Sequence, residues 1–126
     1  MFTQQEIEYL NGQRLARLAT VNADGQPDVV AVGFDFDGKA FYIGGRNQTR
    51  SRKYKNVKAG QGKVALVIDD LASVNPWRPR GVRIYGTAEI VPHDGYAGKG
   101  EYLRIVPEVS WGWGFDGAAA RTVHTS

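Results

Sequence analysis

Short apolar runs broken by turn residues dominate this chain, and they predict strands more than helices. Leu15 to Val21 reads as the first strand. Asn22-Ala23-Asp24-Gly25 is a turn signal, and Pro27 opens the next strand where a missing N–H is tolerated. Val29 to Phe36 is the second strand, and Asp37-Gly38 turns it into Lys39 to Gly44, giving an antiparallel meander. Val64-Ala65-Leu66-Val67-Ile68 is apolar throughout and short enough for a buried strand, ending in a turn at Asp69-Asp70. Asn75 to Gly81 reads as a loop. Val82 to Val91 is the fifth strand and Tyr102 to Trp113 the sixth, with Pro107 at an edge or bulge.

Helical signals are fewer. Thr3 followed by Glu6 is a capping box, Ile7 and Leu10 supply an apolar face, and Asn11-Gly12 ends the helix. A second helix is predicted from about Thr49 to Val57, with Tyr54 and Val57 as apolar anchors. One helical turn is expected in the Gly-rich stretch Asp94 to Gly100, and an irregular tail over 114–126. Six strands with two or three short helices predict a small, mainly β barrel. The 126 residues are expected to form one domain with a modest core.

Composition changes this picture little. Sixteen glycines fit a fold of many turns. Without cysteine there is no disulfide framework and no thiolate chemistry. Neither a signal-peptide pattern nor an apolar run of transmembrane length is present, so a cytoplasmic protein is expected.

Charge adds more. Between Arg46 and Lys63 stand seven cations (Arg46, Arg50, Arg52, Lys53, Lys55, Lys58, Lys63) and no acid, against a net charge of only +3 for the chain. Ser51-Arg52-Lys53 falls at the predicted start of the second helix. A hydroxyl and two cations beside free backbone N–H groups favour a phosphate, and Arg adds bidentate geometry. The run therefore points to a phosphorylated small molecule or a nucleic-acid backbone. Only one aromatic, Tyr54, lies among the cations, so a stacking platform for single strands is poorly supported and no nucleic-acid partner is expected. A plain solvated helix face is the bland alternative.

Several segments together resemble the pyridoxamine-phosphate-oxidase-like split-barrel superfamily. Leu18 to Pro27 resembles its opening hairpin, and Phe41-Tyr42-Ile43 followed by Ser51-Arg52-Lys53 its flavin-phosphate segment. Val64 to Asp70 looks like the strand that follows, and Gly81 to Glu89 like its G-x-A-E strand. Asp69-Asp70, the Pro76-Trp77 loop, Tyr102-Leu103-Arg104-Ile105 and Ser110-Trp111-Gly112-Trp113 look most like the actinobacterial branch dependent on coenzyme F420, a deazaflavin. The resemblance covers Ile7 to Val91 and continues more weakly to Trp113.

It implies a six-stranded antiparallel split β-barrel, an FMN-binding split barrel in architecture, that forms a homodimer with cofactor in the groove between subunits. It also implies an F420-dependent reductase acting on an electron-poor small molecule. Arg52 and Lys53 would hold the cofactor phosphate, with Ser51 and Thr49 hydrogen-bonding it. Val30, Ala31, Val32 and Gly33 would lie along the edge of the ring. Tyr42, Ile43 and Gly44 would line the ribityl region, and Trp77 would arrive from the other subunit. About ten residues separate Val91 from Tyr102, where many relatives carry a longer helical insert. The C-terminal Arg and His of a typical pyridoxamine phosphate oxidase find no match, so that activity is not expected.

FMN as cofactor, or a non-catalytic flavin-, deazaflavin- or haem-binding protein, are the alternatives to F420 chemistry. No dedicated catalytic side chain is expected; Tyr42, Tyr85 and His124 are conceivable proton donors. His93 and His124 stand alone with no metal-type spacing, so no metal is expected. Trp111 and Trp113 lie two apart, hence on one face of a strand, and read as core or dimer packing. Trp77 with Arg78, Arg80 and Arg83 reads as a pocket wall or a cation–π patch.

Overall fold

The computed structural model describes residues 1–116 and 120–125. Its elements run α1 (Gln4–Asn11), β1 (Leu15–Val21), β2 (Pro27–Gly33), β3 (Asp35–Phe36), β4 (Phe41–Ile43), a 3-10 turn (Gln48–Arg50), α2 (Arg52–Lys58), β5 (Lys63–Ser73), β6 (Arg78–Gly95), β7 (Gly98–Trp113) and β8 (Ala120–Val123). The expected capping box is present: Thr3 Oγ1 accepts from the Glu6 N–H at 3.1 Å, and Glu6 accepts from the Thr3 N–H at 2.9 Å. Two of the four orphan donors of the first turn are satisfied this way.

One antiparallel sheet runs in the order β2-β1-β5-β6-β7-β4-β3, with β8 added to β7. Its two ends, β2 and β3, are separated by Phe34 alone. A sheet whose extremes are consecutive in sequence must curl back on itself, which is how the barrel arises without a closing ladder. Alternation then sorts the side chains. Leu18, Phe41, Ile43, Leu66, Ile68, Val82, Ile84, Leu103 and Ile105 point inward and are almost fully buried. Tyr9 and Leu10 of α1, Tyr54 and Val57 of α2, and Phe2 join this core.

The mainly β architecture agrees with the sequence reading; four details differ. Strand β5 continues past Asp69 and Asp70 to Ser73, and β6 begins at Arg78, because Arg17 pairs with Asp69 and Arg80 with Asp70 across the sheet. Cross-strand partners convert an apparent turn into strand. The Asp94–Gly100 stretch is not a helical turn: β6 and β7 continue into a hairpin whose last pair is Gly95 with Gly98. The tail contains β8, which pairs Ala120–Val123 with Val109–Gly112 of β7; residues 117–119 and 126 lie outside the described set. The second predicted strand is split at Phe34, which together with β8 gives eight strands among the described residues where six are expected. Pro107 sits at the expected bulge, where the β6–β7 register shifts between Tyr85 and Gly86.

Candidate functional site

After β4 the chain folds over itself before the basic helix begins. The Gln48 side chain donates to the Ile43 carbonyl at 2.8 Å, drawing the loop against the end of β4. Asn47 takes the left-handed conformation that Asn tolerates, φ 58°, and starts the 3-10 turn. Ser51 caps α2: its hydroxyl accepts from the Tyr54 N–H at 3.3 Å and donates to the Gln48 carbonyl at 2.6 Å. Three side chains fasten the helix to the barrel. Asn56 donates to Thr20 at 2.9 Å inside the core, Val57 packs on the apolar cluster, and the Tyr54 hydroxyl donates to the Glu101 carboxylate.

With its inner face so occupied, α2 turns its cations outward. Arg46, Arg50, Arg52, Lys55 and Lys58 are exposed, and Lys53 is partly buried. The ion pairs among the described residues are Arg17–Asp69, Arg80–Asp70, His93–Asp35 and Arg104–Glu89, and none uses a cation of this run. Arg17, Arg80 and Arg104 elsewhere on the barrel have carboxylate partners; the clustered cations of this run have none among the described residues. Burial pushes the Lys53 ammonium below its ordinary pKa, opposed only by Asp28 of β2. A cation losing water without a salt-bridge partner is disfavoured until an anion arrives.

Edge strand β2 bounds the same region. Val29 is 69% exposed and Val30 39%, so both faces of this strand carry open apolar surface. Val32 points into the core at 7%, leaving its backbone as what a groove could use. Ile43 is likewise fully buried, and its carbonyl is taken by Gln48. The Tyr42 hydroxyl donates to Asp37 at 3.1 Å and accepts from Arg104 at 3.3 Å, while its ring stacks on His93 with centroids 4.2 Å apart. Thr49 is exposed on the 3-10 turn. Trp77, 67% exposed, tops the β5–β6 hairpin. The eleven residues of β5 put it roughly 35 Å from the α2 end of that strand. Within one chain, Gly33 and Gly44 stand opposite each other just beyond the β3–β4 ladder, the Gln48 loop leads from Ile43 to Ser51, Arg52 and Lys53, and Trp77 stands beyond the other end of β5 from α2.

A residue missed by sequence reasoning sits in the middle of this region. Tyr96, in the turn of the β6–β7 hairpin, folds back over the barrel end. Its hydroxyl lies 2.8 Å from the Gly33 carbonyl and 2.9 Å from the Gly44 carbonyl, and accepts the Gly44 N–H at 2.9 Å. One phenolic proton is thus shared between two carbonyls. Burial raises the Tyr96 pKa, so the hydroxyl remains a donor at neutral pH. The Tyr96 N–H donates to Asp35 at 3.0 Å. Beneath, Tyr102 accepts from the Gly95 and Ala97 N–H groups at 3.2 and 3.0 Å and donates to the Gly98 carbonyl at 2.6 Å. The glycines are required here: a Cβ on Gly33 would lie 2.8 Å from the Tyr96 ring, and one on Gly44 2.5 Å from the Tyr102 ring. Only the run Asp94-Gly95-Tyr96-Ala97-Gly98, a turn sequence with an aromatic at its tip, hinted at this.

Two hollows lie elsewhere. One, about 520 Å³, is a shallow apolar groove on the outer sheet face, lined by residues including Ala19, Val21, Ala65, Tyr85 and Val109. The other, about 460 Å³, lies between Phe2, Ile7, Ala40, Arg104, Val106 and His124. Neither contains any of the residues expected to hold a cofactor. On the outer face Arg83 stacks over Trp111 at 4.3 Å and over Tyr85 at 5.5 Å, so the cation–π patch is real but built on Trp111, not on Trp77. His124 is hydrogen-bonded to buried Ser110 at 2.8 Å, and burial lowers its pKa. Among the described residues no three His, Cys, Asp or Glu gather to hold a metal, and no helix is long and apolar enough to cross a membrane.

An antiparallel barrel with a cationic helix beside an apolar edge strand fits the split-barrel architecture. The chain belongs to the pyridoxamine 5'-phosphate oxidase family, whose profile matches residues 2–110. It is 41% identical over 129 aligned positions to a Streptomyces rimosus protein named 5a,11a-dehydrotetracycline/5a,11a-dehydrooxytetracycline reductase, covering 98% of this chain and 90% of that one. In structure it is similar to the conserved hypothetical protein Rv2991 of Mycobacterium tuberculosis (TM-score 0.71, 23% identity, 90% of this chain and 86% of that one). It is also similar to a protein named F420 reductase (TM-score 0.67, 22% identity, 86% of this chain and 98% of that one). At these identities the structural likenesses are of fold.

Proposed function

We propose that this protein is an oxidoreductase that binds coenzyme F420 and reduces an electron-poor double bond in a small polycyclic substrate, working as a homodimer. The observation that carries the reading is the half-buried, unpaired Lys53 among unpaired Arg46, Arg50 and Arg52, beside the exposed apolar edge of β2. A phosphate, a polyanionic tail and a flat ring are what such a surface suits. Arg52 and Lys53 hold the phosphate. The Ser51 hydroxyl adds little, because its proton is donated to the Gln48 carbonyl. Val30, Ala31 and Gly33 present apolar side chain and backbone to the ring, with Tyr42 and Gly44 following it.

When bound, a deazaflavin supplies hydride and reacts poorly with oxygen, so the protein has to position substrate and exclude water. The identity to a protein named for reducing a dehydrotetracycline supports a carbon–carbon double bond as the acceptor. Tyr42 already donates to Asp37 and His124 is tied to buried Ser110, so neither has a free proton facing β2; solvent is the proton source this reading favours. A second copy of the chain is supported by the remaining exposures: the edge of β2, the groove around Tyr85 and Val109, and Trp77, which in this reading covers the partner's cofactor.

Fluorescence titration with coenzyme F420 beside FMN tests the proposal. Saturable binding of F420 alone is expected. Binding of FMN alone assigns the groove to a flavin, and binding of neither removes the cofactor reading.

A further inference from the structure

Tyr96 belongs to none of the segments expected to touch a cofactor, yet it is bonded to two of them. Gly33 and Gly44 fall opposite each other just beyond the last pair of the β3–β4 ladder, Asp35 with Tyr42, where β2 and β4 diverge. Among the described residues no backbone hydrogen bond of the ladder joins this pair. The hydroxyl of Tyr96 does, through Gly33 O, Gly44 O and Gly44 N–H, all within 2.9 Å. We propose that Tyr96 is a positioning residue that clasps the ring end of the cofactor groove, fixing the separation of Gly33 and Gly44 so that the phosphate end and the ring end bind as one rigid surface. This inference rests on the proposed cofactor site and names a residue that tunes it.

Three features favour a clasp over an incidental turn contact. The hairpin tip is itself held from below: Tyr102, 2% exposed, bonds three of its backbone groups, so Tyr96 is presented by a fixed platform. A second bond, Tyr96 N–H to Asp35, docks the tip on β3 beside the same junction, and His93 holds that carboxylate at 3.4 Å. Finally, the Tyr96 ring is 45% exposed, so one face is available to a bound ring while the other lies over Gly33. The short β6–β7 connection is what lets this side chain reach back; a longer insert at that place would carry it away.

Tyr96→Phe tests the clasp, because it keeps the ring and removes only the hydroxyl. Wild type and variant are titrated with F420 and with FMN, and with inorganic phosphate as competitor. Amide hydrogen exchange is followed at Gly44, whose N–H loses its acceptor in the variant. The expected result is a loss of cofactor affinity of about five- to tenfold, roughly one hydrogen bond in scale. Inorganic phosphate affinity should be unchanged and Gly44 exchange faster. Equal cofactor affinity in wild type and variant overturns the inference while leaving the cofactor site standing. So does tighter binding, which makes the hydroxyl a plug on Gly44, or a parallel loss of phosphate affinity, which means general damage. If wild type binds neither cofactor, the underlying site fails and the clasp with it.

Discussion

Tyr9 of the N-terminal helix donates its hydroxyl proton to Asp70 of β5 at 2.8 Å. Arg80 of β6 grips the same carboxylate through Nε at 2.8 Å and Nη2 at 3.1 Å, and lays its guanidinium 5.0 Å from the Tyr9 ring centroid. Three elements meet at one carboxylate. Burial first, and then the hydrogen bond to Asp70, raise the Tyr9 pKa far above its ordinary value, so this phenol is a permanent donor.

Tyr9→Phe should therefore lower stability by roughly 1 kcal/mol, the usual cost of one hydrogen bond when the partner stays satisfied by another. Arg80 remains to pair Asp70. Urea unfolding at neutral pH checks it, and a loss several times larger would mean that α1 docks through this bond alone.

Acid should weaken the same corner. The Arg80 hydrogen bond, with help from Tyr9, holds the Asp70 carboxyl below its ordinary value of 3.8. A depressed carboxylate pKa contributes stability that is full above the unfolded value and lost as pH falls through the folded one. Asp70→Asn should be less stable than wild type near neutral pH and converge on it as pH falls through and below the depressed carboxyl pKa. Urea midpoints across that range read the effect; parallel curves would refute it.

Changing Arg52 and Lys53 together to Ala should weaken F420 or FMN binding by at least about tenfold, the scale of one charge-assisted contact. Melting temperature should hold or rise slightly, since both cations are unpaired in the fold. Unchanged affinity would make the basic run a solvated face.

Glycine replacements should separate packing from binding. Gly44→Ala drives a Cβ into buried Tyr102 and should cost about 1–3 kcal/mol. Gly33→Ala meets Tyr96, half-exposed and able to shift, and should cost under about 1 kcal/mol while still reducing cofactor affinity. Thermal melts and a titration of each variant decide the order.

Much of the barrel was legible because its strands carry their own turn signals. Asn22 to Gly25, Asp37-Gly38 and the capping box of Thr3 and Glu6 each act locally, and each falls where expected. What escaped depends on partners distant in sequence. Nothing local says that Asp69 and Asp70 meet Arg17 and Arg80, so β5 reads as ending early. Nothing in Ala120 to Val123 announces a strand without the free edge of β7 beside it. The basic run was visible as charge, but its being unpaired was not, since that depends on where every carboxylate ends up. Tyr96 was hidden for the same reason: its partners are backbone atoms of Gly33 and Gly44, which leave no trace in composition.

The order of the sheet also governs how the molecule assembles. Strands β1 and β2, and β6 and β7, meet through short turns and can zip early. The pairing of Phe41 with Ile105 and the contact of Tyr96 with Gly33 must each wait for a long loop to close. The junction of Gly33, Gly44 and Tyr96 thus depends on long-range closure rather than on a local turn. A ligand bound across it would act as a kinetic brake on unfolding, slowing the opening of this seam.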